Sequence, residues 1–488
     1  MINVKNTQLV SVHHDPSLKY PDAGEYFSPD QIFPEYQFGH TAKKPNRVYA
    51  AVRQCLADAG LDIENFGKPA WNPLRDYITP GQRVFVLCNF VKHNVTRDAQ
   101  IMLAKCTHGS VVRALIDYVL IALRGAGSIR FGNAALQSAD WDRVIHETGA
   151  QSVQEFYGKC GKADVPVQLV DLRQHIVYMN TLGMVEPLYH GDDAKSCVPV
   201  DLGSESLLDE LYRSGADPRF RVLDYDHHRI ERCHSKGRHV YLVNRMILES
   251  DVIVSIPKLK THDKVGFTCG IKGCVGTVGH KDCLAHHRYG PPRLGGDEYP
   301  DELSILRPLS QLHDAVYSRR PGRGQKALYV LNRFSRMAVR RVTRSLSGSW
   351  PGNDTCWRMA VDLARIVEYA TNEGQLRPEK QRVHIMLTDG IIAGEGDGPL
   401  SPRPISLGYL SFSDNVAEGD YVNGLAMGFD PAKIPMIREA FLLGKYPLAS
   451  TNKFDARIQV NGNAVQSEDM RSGLGRRFLP PREWRRYL

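Results

Sequence analysis

Between Asp251 and His287 the chain reads DVIVSIPKLKTHDKVGFTCGIKGCVGTVGHKDCLAHH, and this stretch restricts the fold more than any other. Val252-Ile253-Val254-Ser255-Ile256 is a short apolar, β-branched run, the pattern of a strand buried on both faces of a parallel sheet. Pro257 ends it, because proline has no N–H for a central ladder. If the chain stays extended beyond Pro257, the alternation of side chains puts Lys258, Lys260 and His262 on one face. They would stand at the carboxyl end of a buried strand, where open α/β sheets bind ligands. Lys264, Cys269, Lys272, Cys274, His280, Lys281, Cys283, His286 and His287 follow, interleaved with glycines. Such a set suits an anion, a metal or both.

Three ordered blocks carry a resemblance. The first is P-K-L-K-T-H followed by Thr268, Lys272 and Gly276 at four-residue spacing and a histidine at 286–287. The second is T-D-G-I-I-A-G-E-G-D-G-P, from Thr388 to Pro399. The third comprises S-D-N-V-A-E-G-D from Ser413 and M-G-F-D-P-A-K-I-P from Met427. Together they resemble the family catalogued as domain of unknown function 362, over roughly residues 83–448. The resemblance implies an α/β fold and a site in the Lys258–His287 region. The family often has Lys-Pro-Asn after its first strand; this chain keeps only Asn89 there. Some relatives carry a fused ferredoxin module, but no C-x-x-C-x-x-C run occurs here, so no ferredoxin-type cluster is expected.

The sequence has 488 residues, 42% hydrophobic and 24% charged, ordinary for a globular protein. The longest apolar run, from Val111 to Leu123, contains Arg113 and Asp117 and is too short to span a bilayer. MINVKNTQLVSVHH lacks the basic head and apolar stretch of a signal peptide, so a cytoplasmic location is expected. Ten cysteines are too dilute for a disulfide scaffold. The net charge is +8, and nine cationic residues lie between Arg319 and Arg344 without an acid among them. One segment therefore accounts for the whole excess, which argues against a nucleic-acid binder and for one local basic surface.

Buried strand patterns at 83–87, 165–172, 220–225, 252–256, 383–387 and 406–412 alternate with helical ones at 111–123 and 357–370. This predicts an α/β fold: a largely parallel sheet with helices on both faces. The expected organisation is an N-terminal extension (1–81), a first half of the core (82–289), an insertion with a basic amphipathic helix (290–350), a second half (351–448) and an irregular tail (449–488). The 240–247 segment is expected to pair with 252–256. Within the insertion, Leu331, Phe334, Ala338, Val342 and Leu346 form a helical stripe opposite Arg336, Arg340 and Arg344. That basic face could dock on an anionic membrane surface or an acidic protein partner, or be merely solvated.

Lys258, Lys260, Lys272 and Asn89 are expected to bind a small anionic ligand. His262, His287 and Asp389 are the expected catalytic groups, Asp389 because it follows a buried strand and opens a glycine-rich loop containing Glu395 and Asp397. Changing Lys260 or Asp389 to Ala is expected to cost ligand but little stability. His286, His287 and Cys283 could hold a divalent metal. No G-x-G-x-x-G follows a strand and no P-loop exists, so neither a dinucleotide site nor a P-loop is expected. The expected activity is that of an α/β enzyme on a carboxylate- or phosphate-bearing substrate, with metal assistance if a metal binds. The alternative is a non-catalytic ligand-binding or scaffold protein docking through its basic helix. A further alternative comes from Asn94-Val95-Thr96-Arg97, which is similar to the D-x-T-R loop of nickel-pincer lactate racemases, with Asn in place of Asp; it implies racemase-like chemistry.

Overall fold

The structure is a computed structural model that describes residues 8–96, 98–159, 163–179, 185–190, 196–212, 217–222, 227–318, 325–339, 341, 343 and 345–488. An eleven-stranded sheet organises it. In chain order its strands are β1 (Leu9–His14), β2 (Arg83–Cys88), β3 (Ser128–Asn133), β4 (Val167–Asp171), β5 (Val252–Ile256), β6 (Lys258–His262), β7 (Gly266–Thr268), β8 (Val383–Glu395), β9 (Arg403–Ser413), β10 (Arg457–Val460) and β11 (Asn463–Val465). The spatial order is β11-β10-β1-β9-β8-β5-β2-β3-β4, with β6 paired to β8 and to β7. The block β8-β5-β2-β3-β4 is entirely parallel, and β9 runs antiparallel beside it.

The β-branched run Val252–Ile256 occupies the middle of this block because both of its faces are covered. Val252, Val254 and Ile256 point into one core, with helices Arg47–Asp58 and Gly109–Leu123. Ile253 points into the other, with helices Cys356–Tyr369 and Val416–Ala426. Period two on the strands thus feeds two apolar layers, as the α/β expectation requires.

The chain ends are built into the sheet rather than appended to it. β1 inserts between β9 and β10, pairing antiparallel with one and parallel with the other. The residues expected to form an irregular tail supply β10, β11 and the helix Ser467–Gly473. Arg238–Asn244 pairs with Cys197–Asp201, not with β5. Asn244 ends it by capping the short helix Arg245–Leu248, its side chain accepting from the Met246 N–H. The glycine-rich segment after Asp389 is not a free loop either, since β8 runs unbroken through it to Glu395. Its irregularity is confined to bulges opposite β6 and β9.

The insertion contains helices Arg307–Tyr317 and Gln325–Val339 packed on each other. Arg319, Arg340, Val342 and Arg344 lie outside the described residues, as do Arg97 and residues 223–226. Gln325–Val339 is turned the other way from the sequence expectation: Arg336 is buried and Leu331, Phe334 and Met337 face outward. Leu346, assigned to the same stripe, is buried in a separate turn, Leu346–Gly348.

Candidate functional site

A cavity of about 500 Å³ opens beyond the carboxyl ends of β2, β3 and β6. Lys260, His262, Lys264, Lys272, Lys281, His286 and Arg336 line it, with Asn89, Asn133 and Thr268. Each of its two carboxylates accepts a hydrogen bond from a neutral group. Asp263 accepts from the Ser349 hydroxyl at 2.7 Å and Asp397 from the Arg482 N–H at 3.0 Å. Five cationic side chains against two carboxylates leave the cavity with a cationic excess. Phe90, Val91, Leu136, Val275, Leu284 and Leu400 supply apolar wall between these groups.

Each lysine is fixed differently. Lys260 donates to Asn89 Oδ1 and to the Lys105 carbonyl, the latter at the carboxyl end of the helix Gln100–Lys105, where the backbone is electronegative. Burial, aided by the charges of Lys258 and Lys105, lowers its pKa to about 7. Lys281 donates to the Val275 carbonyl at 2.7 Å, and burial, helped by Lys272, lowers it likewise to about 7. Lys264 is held by the Ser347 carbonyl. Lys272 is buried, and among the described residues its ammonium has no hydrogen bond or ion pair.

The two imidazoles present opposite faces of the same chemistry. His262 Nδ1 accepts the Lys264 N–H at 3.1 Å, so in the neutral ring the proton sits on Nε2. His286 Nδ1 lies 2.9 Å from the Leu284 carbonyl, to which it must donate, so its Nε2 carries the lone pair. Burial first, then Lys272 and Lys264, hold both pKa values well below the ordinary histidine range. Both rings are therefore neutral at pH 7, one offering a donor and the other an acceptor.

The structure brings part of the expected set together. Lys260, His262, Lys272 and Asn89 meet in the cavity. Lys258, Asp389, His287 and Cys283 do not line it. Lys258 and Asp389 form a closed, fully buried cluster beside it, their charges 3.1 Å apart. Asp389 also accepts from Tyr20 Oη at 2.5 Å and the His108 N–H at 3.0 Å, and Lys258 donates to Tyr20. The cause is the bulge in β8: Lys258 pairs with Asp389, but Lys260, only two residues on, pairs with Gly394. His287 faces the other way from His286, as neighbours on an extended chain do. Its surroundings are Lys264, His313 and His227.

Cys283 is buried beside Cys233, whose thiol hydrogen-bonds it and raises its pKa. Among the described residues no three His, Cys, Asp or Glu side chains gather as a metal would need. Cys269 and Cys274 are buried thiols whose pKa burial pushes well up. Asn94 folds onto its own loop, accepting from Thr96 and donating to the Asp98 carbonyl, and does not line the cavity.

Three cationic cavity groups escaped the expected site. Lys264 continues the alternation of Lys258, Lys260 and His262 and was legible on that ground. Lys281 lies within the same stretch but has no partner pattern. Arg336 comes from the insertion, and its buried side gave no sequence signal at all.

Residues 209–423 match the model of the domain of unknown function DUF362. The match covers less than half of the chain and supports the resemblance to this family. The match takes in β5 through β9 and the Lys258–His287 segment, so the cavity's lysines and histidines all come from it. Asn89, directly after β2, and Asn133, the last residue of β3, are added from outside the matched residues. A thylakoid-associated protein, sll1697, of Synechocystis sp. is 23% identical over 212 residues, 43% of this chain and 43% of that protein. The chain thus matches less than half the length of that relative. No solved structure matches the chain.

Proposed function

We propose that this protein is an enzyme that holds a small carboxylate- or phosphate-bearing molecule in the cationic cavity and moves a proton on it. The observation that carries this reading is Lys272, a buried lysine whose ammonium has no hydrogen bond or ion pair among the described residues, in a cavity with five cationic side chains and two carboxylates. A buried charge is costly unless paired, and an anionic ligand would supply the pair. Lys260, Lys264 and Arg336 would share the ligand's charge. His262 Nε2–H would donate to it, and the His286 Nε2 lone pair would accept the proton. Burial is the larger cause of the depressed His286 pKa; an anion seated among the lysines would offset the smaller part that Lys272 and Lys264 contribute, making His286 a somewhat better base. The Lys258–Asp389 cluster takes no part in this chemistry; it braces the strand that carries Lys260.

Among the described residues no helix is long and apolar enough to cross a membrane. A cytoplasmic setting fits the nine described cysteines, all free buried thiols, as a reducing compartment would keep them.

Calorimetric titration of the full chain with sulfate, phosphate and a panel of small mono- and dicarboxylates tests the reading, with Lys272→Gln beside it. Saturable binding that the variant weakens at least tenfold supports it. Equal binding by both proteins, or none by the wild type, removes Lys272 as the anchor and the reading with it.

A further inference from the structure

The helix Gln325–Val339 turns Asn332 and Arg336 inward beside the partly buried Val339 and Tyr329, and three large apolar side chains outward. Asn332 is buried against His313, with 3.2 Å between Nδ2 and Nδ1. Arg336 is buried, donates to Ser347 Oγ at 2.8 Å and lines the cavity. The outward side chains are Leu331, Phe334 and Met337, which are 54%, 63% and 50% exposed. At about 100° per residue, Leu331, Phe334, Met337 and Ala338 cover an arc of about 120° centred near Phe334. Exposed Arg333 stands at the edge of that arc, and exposed Arg341 follows the helix. A helix that merely covers its own protein has the reverse arrangement.

We propose that this outward face docks on the surface of an anionic bilayer, Leu331, Phe334 and Met337 entering the acyl boundary while Arg333 and Arg341 meet lipid phosphates. The helix is about 22 Å long at 1.5 Å per residue, and its apolar residues form one ridge rather than a pocket, the shape of an interfacial helix lying in the membrane plane. Charge decides between the occupants. No acid occurs from Ala315 to Asn353, so a second copy of the chain would bring like charge against Arg333 and Arg341, whereas anionic headgroups complement them. The cavity lies on the inner side of the same helix, so docking would bring the cavity up to the lipid surface. The inference does not depend on what the cavity binds.

Vesicle co-sedimentation of the full chain tests it, comparing phosphatidylcholine alone with phosphatidylcholine containing a third phosphatidylglycerol. The wild type is expected to sediment with the anionic vesicles at least tenfold more than with neutral ones, and less as salt rises. The variant Leu331→Ser/Phe334→Ser/Met337→Ser should lose this, and Arg333→Glu/Arg341→Glu should lose its preference for anionic lipid. The altered side chains are exposed, so circular dichroism should report an unchanged fold. Three results overturn the proposal: no sedimentation of the wild type, equal sedimentation of wild type and triple variant, or a wild-type dimer that the triple variant converts to monomer. The last would make a second copy the occupant.

Discussion

Lys258 and Asp389 meet 3.1 Å apart with both side chains fully excluded from solvent, two residues along the strand from the cavity but closed off from it. Asp389 is satisfied by the Lys258 ammonium, the Tyr20 hydroxyl and the His108 N–H together. Tyr20, stacked on His108 with ring centroids 4.0 Å apart, seals the group. The pair is a structural element that ties the N-terminal residues to β8 and to β6, the strand that carries Lys260 and His262.

Removing one member should therefore unfold rather than inactivate. Asp389→Ala leaves the Lys258 ammonium buried and uncompensated, and we expect a loss of about 3–5 kcal/mol in denaturant unfolding. This reverses the sequence expectation that the change would cost little stability. Lys272→Gln should leave the unfolding midpoint unchanged or raised, since Lys272 has no bond to lose among the described residues and the change removes an unpaired charge. An Asp389→Ala protein with wild-type stability and no sulfate binding would return Asp389 to the site.

The divided fate of these residues marks what the sequence could tell. The buried run Val252–Ile256, the helix Gly109–Leu123 and the gathering of Lys260, His262, Lys272 and Asn89 follow from alternation and strand order, which short-range pattern encodes. The separation of Lys258 from Lys260 follows from a bulge in a strand more than 120 positions away, and no local pattern records it. His286 and His287 were indistinguishable for a similar reason: which one points inward depends on the register of His287–Arg288 against Phe220–Arg221. Arg336 was misplaced because an amphipathic stripe gives a helix's two sides but not which of them meets the protein.

Anion affinity should fall from neutral pH upward. Burial has lowered the pKa of Lys260 and of Lys281 to about 7, so their ammonium forms dominate below pH 7 and are lost above it. A lysine at its ordinary value would hold affinity level to about pH 10. If the bound anion needs one of them charged, affinity approaches a tenfold drop per pH unit well above 7, about 50-fold in all from pH 7 to 9. Sulfate, whose charge is constant over this range, is the probe, followed by calorimetry. Lys260→Gln should bind more weakly at pH 6 and show a flatter profile; a wild-type curve level to pH 9 would contradict the assignment.

The glycines after Asp389 should divide into two kinds. A Cβ at Gly398 would stand 2.1 Å from the Thr261 carbonyl oxygen, so Gly398→Ala must push the backbones apart. A loss of about 1–3 kcal/mol is expected, with weakened anion binding because Thr261 lies between Lys260 and His262. Gly396 has open space around its Cβ position but a φ of +77°. Its replacement by Ala should cost about 1 kcal/mol through backbone strain alone and leave binding intact. Denaturant midpoints and sulfate titration of the two variants distinguish close approach from turn geometry. Equal behaviour would mean that the strand contact at Gly398 is not required.

His286 should be separable from His262 by what each change does to turnover and to binding. His286 Nδ1 is committed to the Leu284 carbonyl, which leaves only Nε2 to take a proton. Asn can keep the donor to that carbonyl but has no basic nitrogen. His286→Asn should therefore bind anion within a few-fold of wild type while slowing proton transfer about 10²–10⁴-fold. His262 offers a donor rather than a base, its Nδ1 being occupied by the Lys264 N–H. His262→Gln, which can still donate, should lose far less turnover and show its deficit in affinity. The measurement is deuterium incorporation from D2O, followed by proton NMR, into carboxylates and phosphate esters that the wild type binds and that carry an acidic C–H. Wild-type exchange that survives His286→Asn unchanged would remove His286 as the base, leaving the cavity as an anion site without the proposed chemistry.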